Sequence, residues 1–494
     1  MSTALVIALA YFLIIIVGTS VYLKKRVKSG SDFVTGGGTL PWFLVTAGFV
    51  LAPLGSGHTL SLWEGSADMG ASVLWWGIIS GGVFVPLFLL WFGPWFRRLN
   101  VQTFPEGMGK LFGERIGWLI SAVFPAQLIG ICIAEVTATA TAFYALGNKS
   151  IPFAPHCILL AVGLTILYII AAGLMQVAWL NLFNAIMLIA GSFLAVFVTG
   201  SWLTGHGGWK SVADFYANAG TAWKTSMMNF SPDVVFGIIF PCLILLVFMC
   251  SASQAQNQPM LMARSESDIR RGLFWACFIN SMSTYPWVVL ALVGMSIPAI
   301  AAGGAKLSVP GIALMALPQW VVGILMIALL AATLSTTAGL ILASSHIIVH
   351  DIFKRAVHPK MSDSTFLVLT RVMIIVCAVL VIIPALKLPY IFSIFMWTFS
   401  FAIPIFGVYL IGMMWKINKV AAWITILAGY AANFLWTFAA PTWLPSYLSL
   451  NVYPTTFTTV VLGVALNLIL PGEPGYLHQL KMAEQQTTVK AASA

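Results

Sequence analysis

The sequence predicts an all-α integral membrane protein of about 13 transmembrane helices. Three observations carry that prediction. Hydrophobic residues make up 60% of the 494-residue chain and charged residues 8%, with a mean hydropathy of +0.96; a soluble domain carries roughly 25% charged residues. The apolar runs are continuous, near the roughly 20 residues that a helix needs to cross a bilayer, and do not alternate as a membrane β-barrel would. Of the 24 Lys and Arg, all but Lys149, Lys210, Lys224, Lys306 and Lys387 fall on one side once the spans are drawn. That asymmetry puts the N-terminus outside and the C-terminus in the cytoplasm of a multi-pass protein of the cell (plasma or inner) membrane. The net charge of +10 then reads as topology, because no soluble domain is present to carry a nucleic-acid surface.

The spans centre near residues 13, 51, 84, 131, 164, 191, 243, 286, 332, 376, 401, 430 and 463. The first, from Ser2 to Leu23, precedes Lys24, Lys25, Arg26 and Lys28. A cleaved signal peptide carries its charge before the apolar run, so this helix is retained. The Gly-rich stretch SGSDFVTGGGTLPWF has no Lys-Ser/Thr to hold phosphate and reads as an inside linker. The longest outside loop, 205–232, has room for a small lid or surface helix, and the polar tail after Pro471 reads as short and mobile. The six cysteines lie in apolar spans without a CxxC pair and read as small buried hydrophobes. Nucleotide-binding and zinc-protease motifs are absent, and no covalent catalysis is expected.

The second span is interrupted. VLAPLGSGHTLSLWEG, residues 50–65, holds Pro53, Gly55, Gly57, His58 and Glu64, which a continuous helix does not tolerate well. Non-helical backbone at membrane depth persists where it is buried in protein or lines a wet cavity, and in transporters its carbonyls can hold a cation. The ninth span, LLAATLSTTAGLILASS, places Ala332, Ser335 and Thr336 at i, i+3 and i+4 on one helix face. One carbonyl and two hydroxyls there, with two carbonyls from a broken neighbour, make a five-oxygen cage without formal charge. Such a cage suits a weakly held monovalent cation better than calcium or a transition metal. The structural alternative is hydroxyls that bond their own i−4 carbonyls or join helices.

Glu135 is read as the one acid of 14 lying deep in a span, in GICIAEVTATATAF. An acid there costs roughly 2.5–3.5 kcal/mol on insertion scales. Its readings are a protonated carboxyl hydrogen-bonded in the bundle, a counter-charge for a substrate ammonium, a proton site, or a partner of His58. Trp75, Trp76, Trp397 and Gln254 are candidates for lining a pocket, set against packing or an interfacial belt.

Six stretches, in order, resemble the sodium/solute symporter family, the group of the proline, pantothenate, sialic acid and sodium–glucose symporters. They are SDFVTGGGTLPWFLV, SGHTLSLWEG, LYIIAAGLMQVAWLNLFN, QAQNQPMLMARSESDIRRG, ATLSTTAGLILASSHIIVHDIFKR and PIFGVYLIGMMWKINKVAAWITILAG. The resemblance implies a LeuT-type core of two inverted five-helix repeats. The first would be spans 2–6 within 41–204 and the second spans 7–11 within 233–415. Residues 1–28 form the first helix and basic loop, 419–471 the last two helices and 472–494 the cytoplasmic tail of one transmembrane domain. It implies sodium as coupling ion, held by the carbonyls of Ala52, Gly55 and Ala332 and the hydroxyls of Ser335 and Thr336. Ser56, His58 and Thr59 would face the solute, with Glu135, Gln254 and Trp397 as further candidates.

Three departures from the family pattern matter. Asn181, Ala338 and Gly339 stand where some members hold a second sodium with an Asp and two hydroxyls, which implies one sodium here. Pro259 replaces an Arg near the inner gate, and His58 replaces an acid, so the solute contact has changed type. The expected function is sodium-coupled import of a small polar organic solute by alternating access, by a monomer, with sodium, the solute and the lipid bilayer as partners and no nucleic acid. The alternatives are a proton-coupled carrier of the same fold using His58 and Glu135, and a solute-sensing membrane receptor.

Overall fold

The computed structural model describes residues 2–23, 38–147, 149, 156–170, 173–250, 254–386 and 397–493. The basic run 24–28 lies outside the described residues. Each of the expected span centres falls in a helical segment except 401, a turn within the apolar run Trp397–Met414. Among the described residues, ten helices are long and apolar enough to cross a membrane, and Trp42–Leu51, Ile158–Ile169, Pro232–Phe248 and Ala305–Ala316 are shorter apolar helices between them. The helices that build the site are α1 (Thr3–Leu23), α2 (Trp42–Leu51), α3 (Ser56–Met69), α4 (Glu114–Leu146), α5 (Ile158–Ile169), α6 (Gly173–Thr204), α7 (Glu266–Ser283), α8 (Gln319–Ile347) and α9 (Asp363–Ala385).

The bundle is organised around α8. Its sequence is apolar or small on every face, which in a helix means burial on every face. In the helical run Gln319–Val357, 94% of the most apolar stretch is buried, against 33% for α1 and for α6. Helices α1, α4, α5, α6 and α9 pack round it. The shorter α2 packs on α7. Gly272 permits this, since a Cβ there would stand 2.9 Å from the Trp42 carbonyl. Polar contacts fix the register: the Trp42 N–H donates to Asp268 Oδ1 at 3.0 Å, and the Thr46 hydroxyl donates to the Gly272 carbonyl at 3.0 Å.

Loops close over the far end of α3. The 205–232 loop carries a surface helix, Gly208–Asn218, as expected. Lys224 donates to the Ala67 carbonyl, and Trp75 Nε1 donates to the Met227 carbonyl at 3.0 Å. Gly70 has φ +61°, and a Cβ there would collide with the Lys224 backbone, so glycine is required twice over. From another loop, Lys306 Nζ lies 3.5 Å from Glu64 Oε1.

One expectation is corrected here. The tail is ordered: Lys416–Ile417 pairs antiparallel with Glu473–Pro474, and this leads into a helix, Tyr476–Ser493, that packs on Ala402–Met414. Backbone pairing with a strand some 57 residues earlier is not marked by local composition. Burial is not confined to Glu135. Glu64 and Asp351 are as buried: Lys306 reaches Glu64 from a distant loop, and Asp351 accepts the hydroxyls of Thr103 (2.9 Å) and Ser121 (3.1 Å) from remote segments and Arg355 Nη1 (3.4 Å) from one turn on.

Candidate ion and solute site

The site grows from the gap between α2 and α3. Pro53 has no N–H to continue the α2 ladder, and in a helix its ring would strike the carbonyl four residues back. Helix α2 therefore closes with the Ala52 N–H on the Gly48 carbonyl at 3.1 Å, and α3 begins at Ser56 after an extended Gly55 (φ −79°, ψ 174°). The gap leaves carbonyls at the end of α2 and N–H groups at the start of α3 without intrahelical partners.

Each end finds a partner of the complementary kind. The Thr336 hydroxyl of α8 donates to the Leu51 carbonyl at 2.8 Å. On the other side, Glu135 Oε2 of α4 accepts the Gly57 N–H at 3.0 Å. A carboxylate at a helix N-terminus meets aligned N–H dipoles and is stabilised by about 0.3–1 kcal/mol at a surface and up to ~2 when partly buried. The contact also explains Gly55. A Cβ at that position would overlap the Glu135 carboxylate, so glycine alone lets the acid reach the helix end. The backbone thus offsets part of the cost of an intramembrane acid.

The sodium candidates come together in part. Ala52, Ser335 and Thr336 line one cavity, with Gly48, Asn181 and Gln258. Its volume of about 30 Å³ admits a water or two, or a bare ion, and excludes an organic solute. The Ser335 hydroxyl donates to the Ala332 carbonyl at 2.8 Å, so these two oxygens are already paired. Gly55 is differently placed: its carbonyl accepts both the N–H (3.1 Å) and the hydroxyl (3.0 Å) of Thr59. To serve a cation it needs the Thr59 hydroxyl to turn away. The Leu51 carbonyl, which the sequence does not distinguish from its neighbours, is the one that α8 addresses. Pro259 packs on α2, 3.1 Å from where a Cβ of Gly48 would sit.

The positions of the second cage form a neutral chain. Tyr11 donates to Asn184 Oδ1 (3.4 Å), Asn184 Nδ2 to the Tyr168 hydroxyl (2.7 Å), and that hydroxyl to Asn181 Oδ1 (3.1 Å). Ala338 is buried, and a side chain at Gly339 would enter open space, so neither offers a side-chain oxygen.

Among the solute candidates, Ser56 and Thr59 are engaged in the break itself. Ser56 Oγ lies 3.3 Å from the Glu135 carbonyl and from Thr139 Oγ1. His58 is different. Its ring stands 5.4 Å from that of Trp76, and Nε2 is buried without a hydrogen-bond partner among the described residues. Trp397 packs edge-on against Phe401 and its Nε1 is likewise unpaired. Gln254 begins the helix Gln254–Met262, but its side chain lies outside the described residues. Trp75 is bound to the 205–232 loop.

If Glu135 and Gly55 act through one contact, their substitutions are coupled. Gly55→Ala and Glu135→Gln should each lower the thermal midpoint of the purified protein, Gly55→Ala the more. The double variant should lose less than the sum, by about 0.5 kcal/mol or more. Additive losses would mean that the glycine and the acid serve separate ends.

Comparisons with known proteins follow the same lines. The sequence profile of the sodium:solute symporter family matches residues 33–429. The chain is 23% identical to the sodium/glucose cotransporter of Vibrio parahaemolyticus, over 92% of this chain and 89% of that one. It is 24% identical to the sodium/myo-inositol cotransporter 2 of Rattus norvegicus, over 86% and 68%. In fold it is similar to a Na+-coupled sialic acid symporter solved in a substrate-bound outward-open state, with a TM-score of 0.81 at 17% identity, over 95% of this chain and 99% of that one. A manganese transporter of Eremococcus coleocola is more distant, with a TM-score of 0.51 at 13% identity, over 89% and 94%. The bundle is of LeuT type. The chain is a multi-pass membrane transporter, and it belongs to the sodium:solute symporter family, with Na+ as its coupling ion.

Proposed function

We propose that the chain imports a small, neutral, hydroxyl-bearing solute with one Na+ per turnover, by alternating access, acting as a monomer. The observation that carries the ion site is the meeting of Ser335 and Thr336 with the end of α2 around one ion-sized cavity. Na+ takes oxygen from Ala52, Ala332, Ser335 and Thr336, with Leu51 beside Ala52, and from Gly55 once Thr59 releases it. The oxygens are pre-assembled as two hydrogen-bonded pairs. A cation entering between them turns the hydroxyl protons outward and draws α8 and the broken helix together. That contact energy shifts the population toward a solute-binding state. The membrane potential adds about 2.3 kcal/mol per charge per 100 mV, which drives import.

Two features favour a neutral solute. Glu135 already faces the N–H groups of α3, so it does not offer a free carboxylate for an ammonium. The His58 imidazole and the Trp397 indole keep unpaired nitrogens that suit hydroxyl groups, and Trp76 gives an apolar wall. The glucose and myo-inositol cotransporters among the relatives carry solutes of this class. The distribution of Lys and Arg supports an external N-terminus and a cytoplasmic C-terminus. On that topology the loops carrying Lys224 and Lys306 close the outer mouth. The inverted repeats are assigned to 41–204 and 233–415.

Ser335→Ala removes one oxygen and keeps the helix. It should raise the Na+ concentration for half-maximal uptake at least about fivefold in proteoliposomes; an unchanged value in a folded variant would remove the assignment. Stoichiometry follows from the neutral Asn181 chain. Reversal-potential measurements should give one Na+ per solute, and a ratio of two is incompatible with Asn181, Ala338 and Gly339 as described.

A further inference from the structure

We propose that the groove between the start of α2 and α7 is a binding site for an anionic phospholipid, with its phosphate on Arg270 and Arg271 and an acyl chain along Leu89, Leu90 and Phe274. The groove measures about 460 Å³, and Trp42 and Trp275 complete its walls. Its two ends differ in chemistry. Leu90, Phe274 and Trp275 are half exposed and lie in or against the membrane-spanning run Glu266–Met295. The other end is cationic. Arg270 Nη2 lies 3.2 Å from Glu266 Oε1, a carboxylate that Arg98 also approaches at 3.6 Å, and Arg271 has no partner among the described residues. Nearby, Arg97 donates to the Ala263 carbonyl (2.6 Å) and Arg264 pairs with Asp268 (2.8 Å). Five guanidiniums thus stand against two carboxylates, an excess that matches phosphate, for which the planar guanidinium is a strong bidentate partner.

The combination identifies the occupant. A soluble anion satisfies the arginines and leaves the aromatic walls bare, and a neutral lipid does the reverse. An anionic phospholipid meets both.

The position gives such a lipid leverage. Trp42 begins α2, and its N–H is bonded to Asp268 of α7. Nine residues on, about 13 Å along the helix, α2 ends at Leu51 beside the ion cavity. A lipid wedged between α2 and α7 steadies that helix. Binding itself does not depend on the ion site; an effect on Na+ affinity rests on the function proposed above.

The test uses the full-length protein, delipidated in detergent, with native mass spectrometry and thermal melting. Phosphatidylglycerol should remain bound and raise the midpoint, while phosphatidylcholine, inorganic phosphate and glycerol phosphate should not. Arg270→Gln with Arg271→Gln should weaken phosphatidylglycerol binding about tenfold or more. Leu90→Trp, which fills the groove with the charges intact, should do the same and guards against a poorly folded arginine variant. Arg115→Gln, at the start of α4 and outside the groove, should leave binding unchanged. Equal loss in Arg115→Gln, wild-type retention in the groove variants, or stabilisation by inorganic phosphate alone would each overturn the proposal. Loss of lipid binding with Na+ dependence unchanged would count against the link to the ion site and leave the lipid site standing.

Discussion

A helix cannot stop inside a bilayer unless its last carbonyls and first N–H groups find partners. That constraint organises this molecule. Between α2 and α3 the chain sets one remote side chain on each side of the gap: a hydroxyl, Thr336, for the carbonyl end and a carboxylate, Glu135, for the N–H end. The two ends are not equivalent. A carboxylate beside carbonyls would be repelled, whereas at the N–H end it accepts hydrogen bonds and meets the helix dipole.

Because the two partners come from α8 and α4, the break also ties three helices together. Helix α8 is buried on all sides and α4 lies against it, so neither partner moves without the bundle. The hydroxyl side is the reversible one. A Thr or Ser hydroxyl that donates to a carbonyl can turn and offer its lone pairs, together with that carbonyl, to a cation. The carboxylate side has no such freedom, since Gly55 brings the acid directly against the backbone. The break therefore has one fixed and one adjustable end, and in the proposed function the ion acts on the adjustable one.

How far the sequence revealed this depends on the range of the interactions. The break was legible because proline and glycine act locally, and the α8 face because helical spacing is local too. Ala52, Ser335 and Thr336, singled out on that basis, line one cavity. Glu135 was singled out as expensive, yet its partner was missed. That partner is a backbone N–H 78 residues earlier, and a backbone group carries no residue signature. Glu64 was noted in the broken stretch without its partner for the same reason: its cation, Lys306, arrives from a distant loop. The Leu51 carbonyl was invisible because every residue has one. The neutral chain from Tyr11 through Asn184 and Tyr168 to Asn181 joins three helices, and only its last member stood out, as a departure from a pattern.

If Glu135 holds the N–H end of the gap, the carbonyl end is free to answer Na+. Backbone amide exchange across residues 51–59, with Na+ and with K+ as control, separates the two ends. Na+ should slow exchange there in the wild-type protein. In Glu135→Ala the segment should exchange fast with either ion, because α3 has lost its N-terminal partner. Equal Na+ protection in wild type and Glu135→Ala would mean that Glu135 does not hold the gap.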